Sequence, residues 1–224
     1  MRHRLSDYDH KFRELLEGDY DLILVDIDGV IMTPSQYLCS SQWYVSYLPE
    51  AASYLHKIDY LFGSYLNNFD LYTSYIKPSN ELATKITQDL YHCFTATEFK
   101  SVDQNLIDAL SDLSDKKLVL GLTGRVHSFH DMTASWLNNL GMEFTDNHGD
   151  MKIEGYNSQL TSGIIYVGHD EKTALPHDKG KVLDRFIEKM NLNVRKILFI
   201  DDFAKNLDHV QQFCDQNQIE FVGI

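Results

Sequence analysis

The sequence predicts an α/β protein with a Rossmann-like, largely parallel sheet and a helical segment inserted after the first strand, and three observations predict it. Apolar runs of strand length recur along the 224 residues. Amphipathic segments of helical period separate them. One stretch, from Pro34 to Thr97, carries helical patterning and no convincing strand.

Each element follows from its residues. Leu22 to Val25, Leu118 to Leu122, Ile164 to Val167, Ile197 to Ile200 and Ile219 to Val222 are rich in Ile, Leu, Val and Phe, as strands covered on both faces require. Four helical stripes lie between and after them: Leu106, Ile107, Leu110 and Leu113; Phe129, Met132, Trp136, Leu137 and Leu140, stopped by Gly141; Val182, Leu183, Phe186, Ile187 and Met190; and Leu207, Val210, Phe213 and Cys214. Thr145 to Ser162, with Gly149, Gly155 and Gly163 nearby, reads as a hairpin or loop beside the sheet. In the insertion, Leu55, Ile58, Phe62, Tyr65 and Leu66, then Leu82, Ile86, Leu90 and Phe94, repeat at helical spacing, with Pro49 and Pro78 at plausible helix boundaries. The expected division is a core of residues 1–33 and 98–224 and a helical domain of 34–97.

Composition narrows the function. A hydrophobic share of 43% with 12% aromatic and 24% charged residues excludes a disordered or fibrous chain. The net charge of −13, with no basic cluster, argues against nucleic acid as a partner. No apolar run approaches the roughly 18 to 20 residues of a membrane span, and Met1-Arg2-His3-Arg4 leads into polar sequence rather than a secretory segment. Cys39, Cys93 and Cys214 are too scattered for a disulfide framework or a zinc ribbon. A soluble, cytoplasmic protein is expected.

The chemistry gathers at strand ends. Leu22-Ile23-Leu24-Val25 delivers Asp26 and Asp28, with Gly29 leaving room beside them, and Ile197-Leu198-Phe199-Ile200 delivers Asp201 and Asp202. In open α/β sheets ligands bind beyond the carboxyl ends of the strands. If the two strands are neighbours, four carboxylates converge there, which only a divalent cation and positive groups could make stable; oxygen donors of this kind suit magnesium. A third strand ends in Thr123-Gly124-Arg125, a hydroxyl and approachable amides that suit phosphate oxygens. Lys179, at the start of a helix, is the expected cation, with Lys181 as its rival.

In order and spacing these elements resemble the haloacid dehalogenase-like (HAD) superfamily of aspartate-nucleophile phosphotransferases: Asp26-Ile27-Asp28-Gly29-Val30 as its first motif, Leu120-Gly121-Leu122-Thr123-Gly124-Arg125 as its second, Lys179-Gly180-Lys181-Val182-Leu183 as its lysine motif and Asp201-Asp202 as its acidic fourth. Ser41-Gln42-Trp43, with Lys179-Gly180 and Phe199-Ile200-Asp201-Asp202, is similar to a poorly characterised bacterial group of that superfamily. The resemblance implies a Mg2+-dependent phosphatase of a small phosphate monoester, with the insertion as its cap. Asp26 would be the nucleophile, forming an aspartyl-phosphate, and Asp28 the proton shuttle. Asp26, the backbone carbonyl of Asp28, and Asp201 would hold the metal, with Asp202 nearby or positioning the lysine. Thr123, the Gly124 amide and Lys179 would clamp the phosphoryl oxygens. Asp28 favours phosphoryl transfer over carbon-halogen cleavage. Alternatives are a phosphomutase, a receiver-type signalling module, against which the order of the acids argues, and a catalytically vestigial binding protein such as a bacterial effector.

Other signals are set aside. His127 and His130, three apart, with His169 or His177, lack the Cys or acid that would complete a zinc spacing. Cys93 beside His92 is not a thiol-base pair by adjacency, and no Gly-x-Gly-x-x-Gly or Walker loop is present.

Overall fold

The computed structural model describes residues 10–36, 96–125, 127–168 and 176–224, and the labels below number the elements among them. The chain divides into two units, one of residues 1–33, 101–168 and 177–224, the other of 34–100 and 169–176. In the second, the backbone N–H and the hydroxyl of Ser35 both donate to the Glu98 carbonyl, at 2.8 and 2.9 Å. The helical patterning expected between 37 and 95, together with Cys39 and Cys93, lies outside the described residues. β2 (Met32–Pro34) pairs with β3 (Phe99–Ser101) in a two-stranded sheet.

The first unit holds a seven-stranded, mostly parallel sheet flanked by helices, in the order β5-β6-β7-β4-β1-β8-β9. β1 (Leu22–Val25) sits inside it, parallel to β4 (Val119–Thr123) and to β8 (Lys196–Ile200). All four β1 side chains are fully buried, so a strand with no polar position occupies a place with no solvent-facing side. β7 (Ile164–Tyr166) adds to β4, and β9 (Glu220–Gly223) to β8, both parallel.

The segment read as a hairpin or loop contains β5 (Met151–Ile153) and β6 (Ser158–Thr161), paired antiparallel, with β6 also antiparallel to β7. The reversal rests on local turn chemistry. Between β6 and β7 lie only Ser162 and Gly163, at φ of 50° and 72°, the two left-handed residues that a tight hairpin turn requires. The sheet is therefore mixed at this edge.

The helices follow the expected stripes. After α1 (His10–Leu16), α2 (Gln104–Ser114) buries Leu106, Ile107 and Leu110, and its N-terminus is capped by the Asp103 carboxylate, which accepts from the Asn105 N–H at 2.9 Å. α3 (His130–Leu140), preceded by a 3-10 turn at His127–Phe129, ends at Gly141 in the left-handed conformation. Its most buried positions are Thr133 and Leu137 rather than the whole apolar stripe. α4 (Lys179–Met190) and α5 (Ala204–Gln216) pack Val182, Leu183, Phe186, Leu207, Val210 and Phe213 into one cluster with Leu22, Leu24 and Phe199 of the sheet. Among the described residues no helix is long and apolar enough to cross a membrane.

Cys214 lies on the inner face of α5 with no accessible surface, and burial pushes its thiol up to about 12. Because the thiolate is the nucleophile, alkylation by iodoacetamide at neutral pH is expected to spare Cys214 in the folded protein and to modify it after denaturation. Peptide mass mapping checks this; rapid native labelling would contradict its place in the core.

Candidate active site at the carboxyl edge of the sheet

Register alone brings two of the acids together. Val25 of β1 pairs with Ile200 of β8, so the residues that follow them, Asp26 and Asp201, leave the sheet side by side. The Asp26 N–H donates to the Ile200 carbonyl at 2.9 Å. Lys179, first residue of α4, reaches between them: its Nζ donates to Asp201 Oδ2 at 2.7 Å and lies 3.0 Å from Asp26 Oδ1. Asp178, just before it, caps the helix by accepting from the Lys181 N–H at 3.1 Å, which fixes where α4 begins. Lys181 points to solvent, whereas Lys179 is 3% exposed. An ammonium so buried stays charged because carboxylates grip it: burial lowers its pKa, Asp201 and then Asp26 raise it, and the carboxylates prevail.

Asp26 is held well above the ordinary carboxylate range, first by burial and then by Asp201, Asp28 and Asp202, with Lys179 opposing. Asp201 is anchored from its other side by the Phe203 N–H at 2.8 Å and by Asn206 Nδ2 at 3.0 and 3.1 Å. Asp202 is exposed as a residue, but its carboxylate lies over Gly29; partial burial, then Asp201 and Asp28, push it up to about 6. Carboxylate oxygens of Asp26, Asp201 and Asp202 lie within 4.8 Å of one another. Such a trio of hard oxygen donors, with two of its members driven toward protonation, fits a divalent cation such as magnesium.

Gly29 makes room for this. At φ of 77° it occupies the left-handed region, and a Cβ there would stand 2.3 Å from Asp202 Oδ2. Gly29→Ala is expected to cost about 1–2 kcal/mol in backbone strain alone and to displace the Asp202 carboxylate. Thermal melts over a magnesium titration check both: a lower melting temperature and a midpoint shifted to higher magnesium are expected, and an unchanged midpoint would remove Asp202 from the metal set.

Asp28 stands apart from the trio. Its two oxygens accept from Arg125, Nε to Oδ2 and Nη2 to Oδ1, each at 2.7 Å. The guanidinium is fixed in turn: Nη1 donates to Thr133 Oγ1 at 3.0 Å, and its carbon lies 5.2 Å from the centre of the Trp136 ring. Thr123, ending β4 at 1% exposure, accepts the Arg125 backbone N–H on its hydroxyl at 3.1 Å, with Gly124 between them. The expectation that four carboxylates share one ion therefore becomes three clustered acids and a fourth held by an arginine. Arg125, Thr133 and Asn206 were missed as site residues. Arg125 ends the motif Leu120-Gly121-Leu122-Thr123-Gly124-Arg125, but nothing in the sequence ties it to Asp28, 97 positions away.

The histidines set aside do something else. His127 and His130 stack at 4.6 Å, with His127 Nε2 3.0 Å from Thr161 Oγ1, and His177 meets the edge of Tyr156. His169 lies outside the described residues. Among the described residues no histidine joins a cluster able to hold a metal.

A family model described as protein of unknown function (DUF2608) matches residues 16–224. The chain belongs to this family. No curated protein matches this member of it. Solved structures similar to it include a haloacid dehalogenase-like family hydrolase from Streptococcus pneumoniae, 14% identical, covering 91% of this chain and 93% of that one at a TM-score of 0.47. A HAD family enzyme from Bacteroides thetaiotaomicron, in complex with magnesium and inorganic phosphate, is 15% identical over 91% and 93% of the two chains at 0.44. An L-2-haloacid dehalogenase from Xanthobacter autotrophicus is 9% identical over 92% and 78% at 0.45.

Proposed function

We propose that this member of the family is a magnesium-dependent phosphatase that hydrolyses a small phosphate monoester through an aspartyl-phosphate on Asp26. The observation that carries the proposal is the charge balance at the sheet edge. Among the described residues the ion pairs of Asp26, Asp28 and Asp201 are made with Lys179 and Arg125, and Asp202 adds a fourth carboxylate beside them, a deficit of two positive charges when all four acids are ionised. Burying uncompensated like charges is costly, and one divalent cation removes the deficit.

Asp26, Asp201 and Asp202 would hold that cation, with the Asp28 carbonyl as a further oxygen. Bound there, magnesium supplies a positive charge that offsets repulsion between an anionic nucleophile and an anionic substrate. The remaining roles fall to the chain. A carboxylate oxygen of Asp26 attacks phosphorus as the ester P–O bond breaks, and Asp28, entering this step protonated on a lone pair the arginine does not use, gives that proton to the leaving oxygen. Water then attacks phosphorus of the aspartyl-phosphate, its proton passing to Asp28 as the bond to Asp26 breaks; inorganic phosphate is released and the Asp26 carboxylate is regenerated. Lys179, the Thr123 hydroxyl and the Gly124 amide steady the phosphoryl oxygens. In this proposal substrate choice belongs to the inserted segment at 34–97.

An aryl phosphate and a panel of phosphorylated metabolites, assayed with magnesium and then with EDTA, test the reading. Metal-dependent release of inorganic phosphate is expected. Transfer of the phosphoryl group to a second substrate position instead would make the protein a mutase, and absence of turnover with absence of magnesium binding would overturn the enzyme reading.

A further inference from the structure

We propose that Arg125 is the positioning residue for Asp28: its guanidinium fork fixes the carboxylate in the orientation from which Asp28 activates water against the aspartyl-phosphate. The inference rests on the phosphatase reading and adds to it a residue whose side chain that reading does not employ.

Three observations support it. The fork is bidentate, with both bonds at 2.7 Å, and so sets the plane as well as the position of the carboxylate, which a single contact cannot do. The arginine is itself immobilised, 8% exposed, with Thr133 on its far nitrogen and its guanidinium carbon over the Trp136 ring. Its backbone N–H is tied to Thr123, so the residue proposed to steady the phosphoryl group and the residue holding Asp28 move as one piece of backbone. A carboxylate offers about four lone-pair sites, of which the fork occupies two, so Asp28 can still accept a proton from water. The fork also holds the Asp28 side chain on Arg125 rather than in the Asp26, Asp201 and Asp202 trio, separating proton transfer from metal binding.

The two chemical steps respond differently. An aryl oxide leaves without needing a proton, so formation of the aspartyl-phosphate tolerates a misplaced Asp28; hydrolysis of that intermediate, which needs a directed water, does not. With an aryl phosphate and magnesium, Arg125→Met is expected to lower kcat by roughly 10²-fold, since misplacing a catalytic group by an ångström costs that much. KM should not rise, a burst of about one aryl oxide per enzyme should precede slow turnover, and intact-mass analysis should show phosphate retained on Asp26. Arg125→Lys should behave like Arg125→Met, because a point charge cannot hold both oxygens, whereas guanidine added to Arg125→Ala should restore turnover. In an Asp28→Asn background, Arg125→Met should have no further effect. Thr133→Val, which keeps the fork and removes one anchor, should show the same burst with a smaller loss and provides the reading if the arginine variants do not fold.

Multiplicative losses in the double variant, or a raised KM without retained phosphate, would make Arg125 a substrate-binding residue and overturn the inference. Wild-type turnover matched by every Arg125 variant would do the same while leaving the phosphatase reading intact. A wild type that binds magnesium yet neither turns over nor retains phosphate would overturn the phosphatase reading itself, and the Arg125 role with it.

Discussion

Asp26→Asn is expected to abolish turnover and, in metal-free buffer, to raise the melting temperature. The loss follows from chemistry: an amide is not a nucleophile at phosphorus, and deleting the group that carries a covalent step typically costs about 10⁴-fold or more in kcat. The gain follows from electrostatics. Asp26 is driven well above its ordinary value by burial and by three neighbouring acids, so keeping it ionised works against the fold, and asparagine is neutral while keeping the shape. The sign with pH is fixed by the same shifts. Asp26 and Asp202, both raised, hold protons in the folded protein that the unfolded chain has released, so metal-free stability falls as pH climbs from about 4 through 6 and beyond. Asp26→Asn should flatten that fall and reduce the stabilisation by magnesium. Calorimetric melts from pH 4 to 8, with magnesium or EDTA, check all three, and a wild-type stability that rises across this window would refute the account.

Lys179→Met should have the largest effect on stability. The ammonium is 3% exposed and bonded to two carboxylates, so its removal leaves buried negative charge with no partner. Breaking a buried pair from one side costs about 3–5 kcal/mol, which in a domain of this size lowers the melting temperature by roughly 6–20 °C. Magnesium should recover part of this, because the cation takes over the lost positive charge, and acidification should recover part too, because it protonates the orphaned acids. In the proposed mechanism turnover falls as well, since the phosphoryl oxygens would lose their fixed cation. A variant that melts like wild type in EDTA would show that Lys179 contributes nothing to holding Asp26 and Asp201 together.

Much of the fold was legible because burial on both faces leaves a plain signature. Leu22 to Val25 and Ile197 to Ile200 carry no polar residue, and only a strand inside a covered sheet, or a helix too short to be stable, could use them. The helical stripes were legible for the complementary reason. The segment of β5 and β6 was legible only as a hairpin or loop, since Met151–Ile153 and Ser158–Thr161 are short and half polar, and the antiparallel join of β6 to β7 depends on the left-handed turn at Ser162 and Gly163.

Sequence by itself determined which residue types stand at each strand end: two acids after β1, two after β8, a hydroxyl at the end of β4 and a lysine at the head of α4. These follow from local pattern, the hydroxyl being that of Thr123, the last residue of β4, since strand and helix periods are properties of neighbouring residues. Only the tertiary structure decided who partners whom. Register between β1 and β8 made Asp26 and Asp201 neighbours, Lys179 closed between them, and Asp28 went to Arg125 rather than to the shared cluster. Charges interact across space and not along the chain, and a carboxylate's partner is set by distances that no spacing in the sequence encodes.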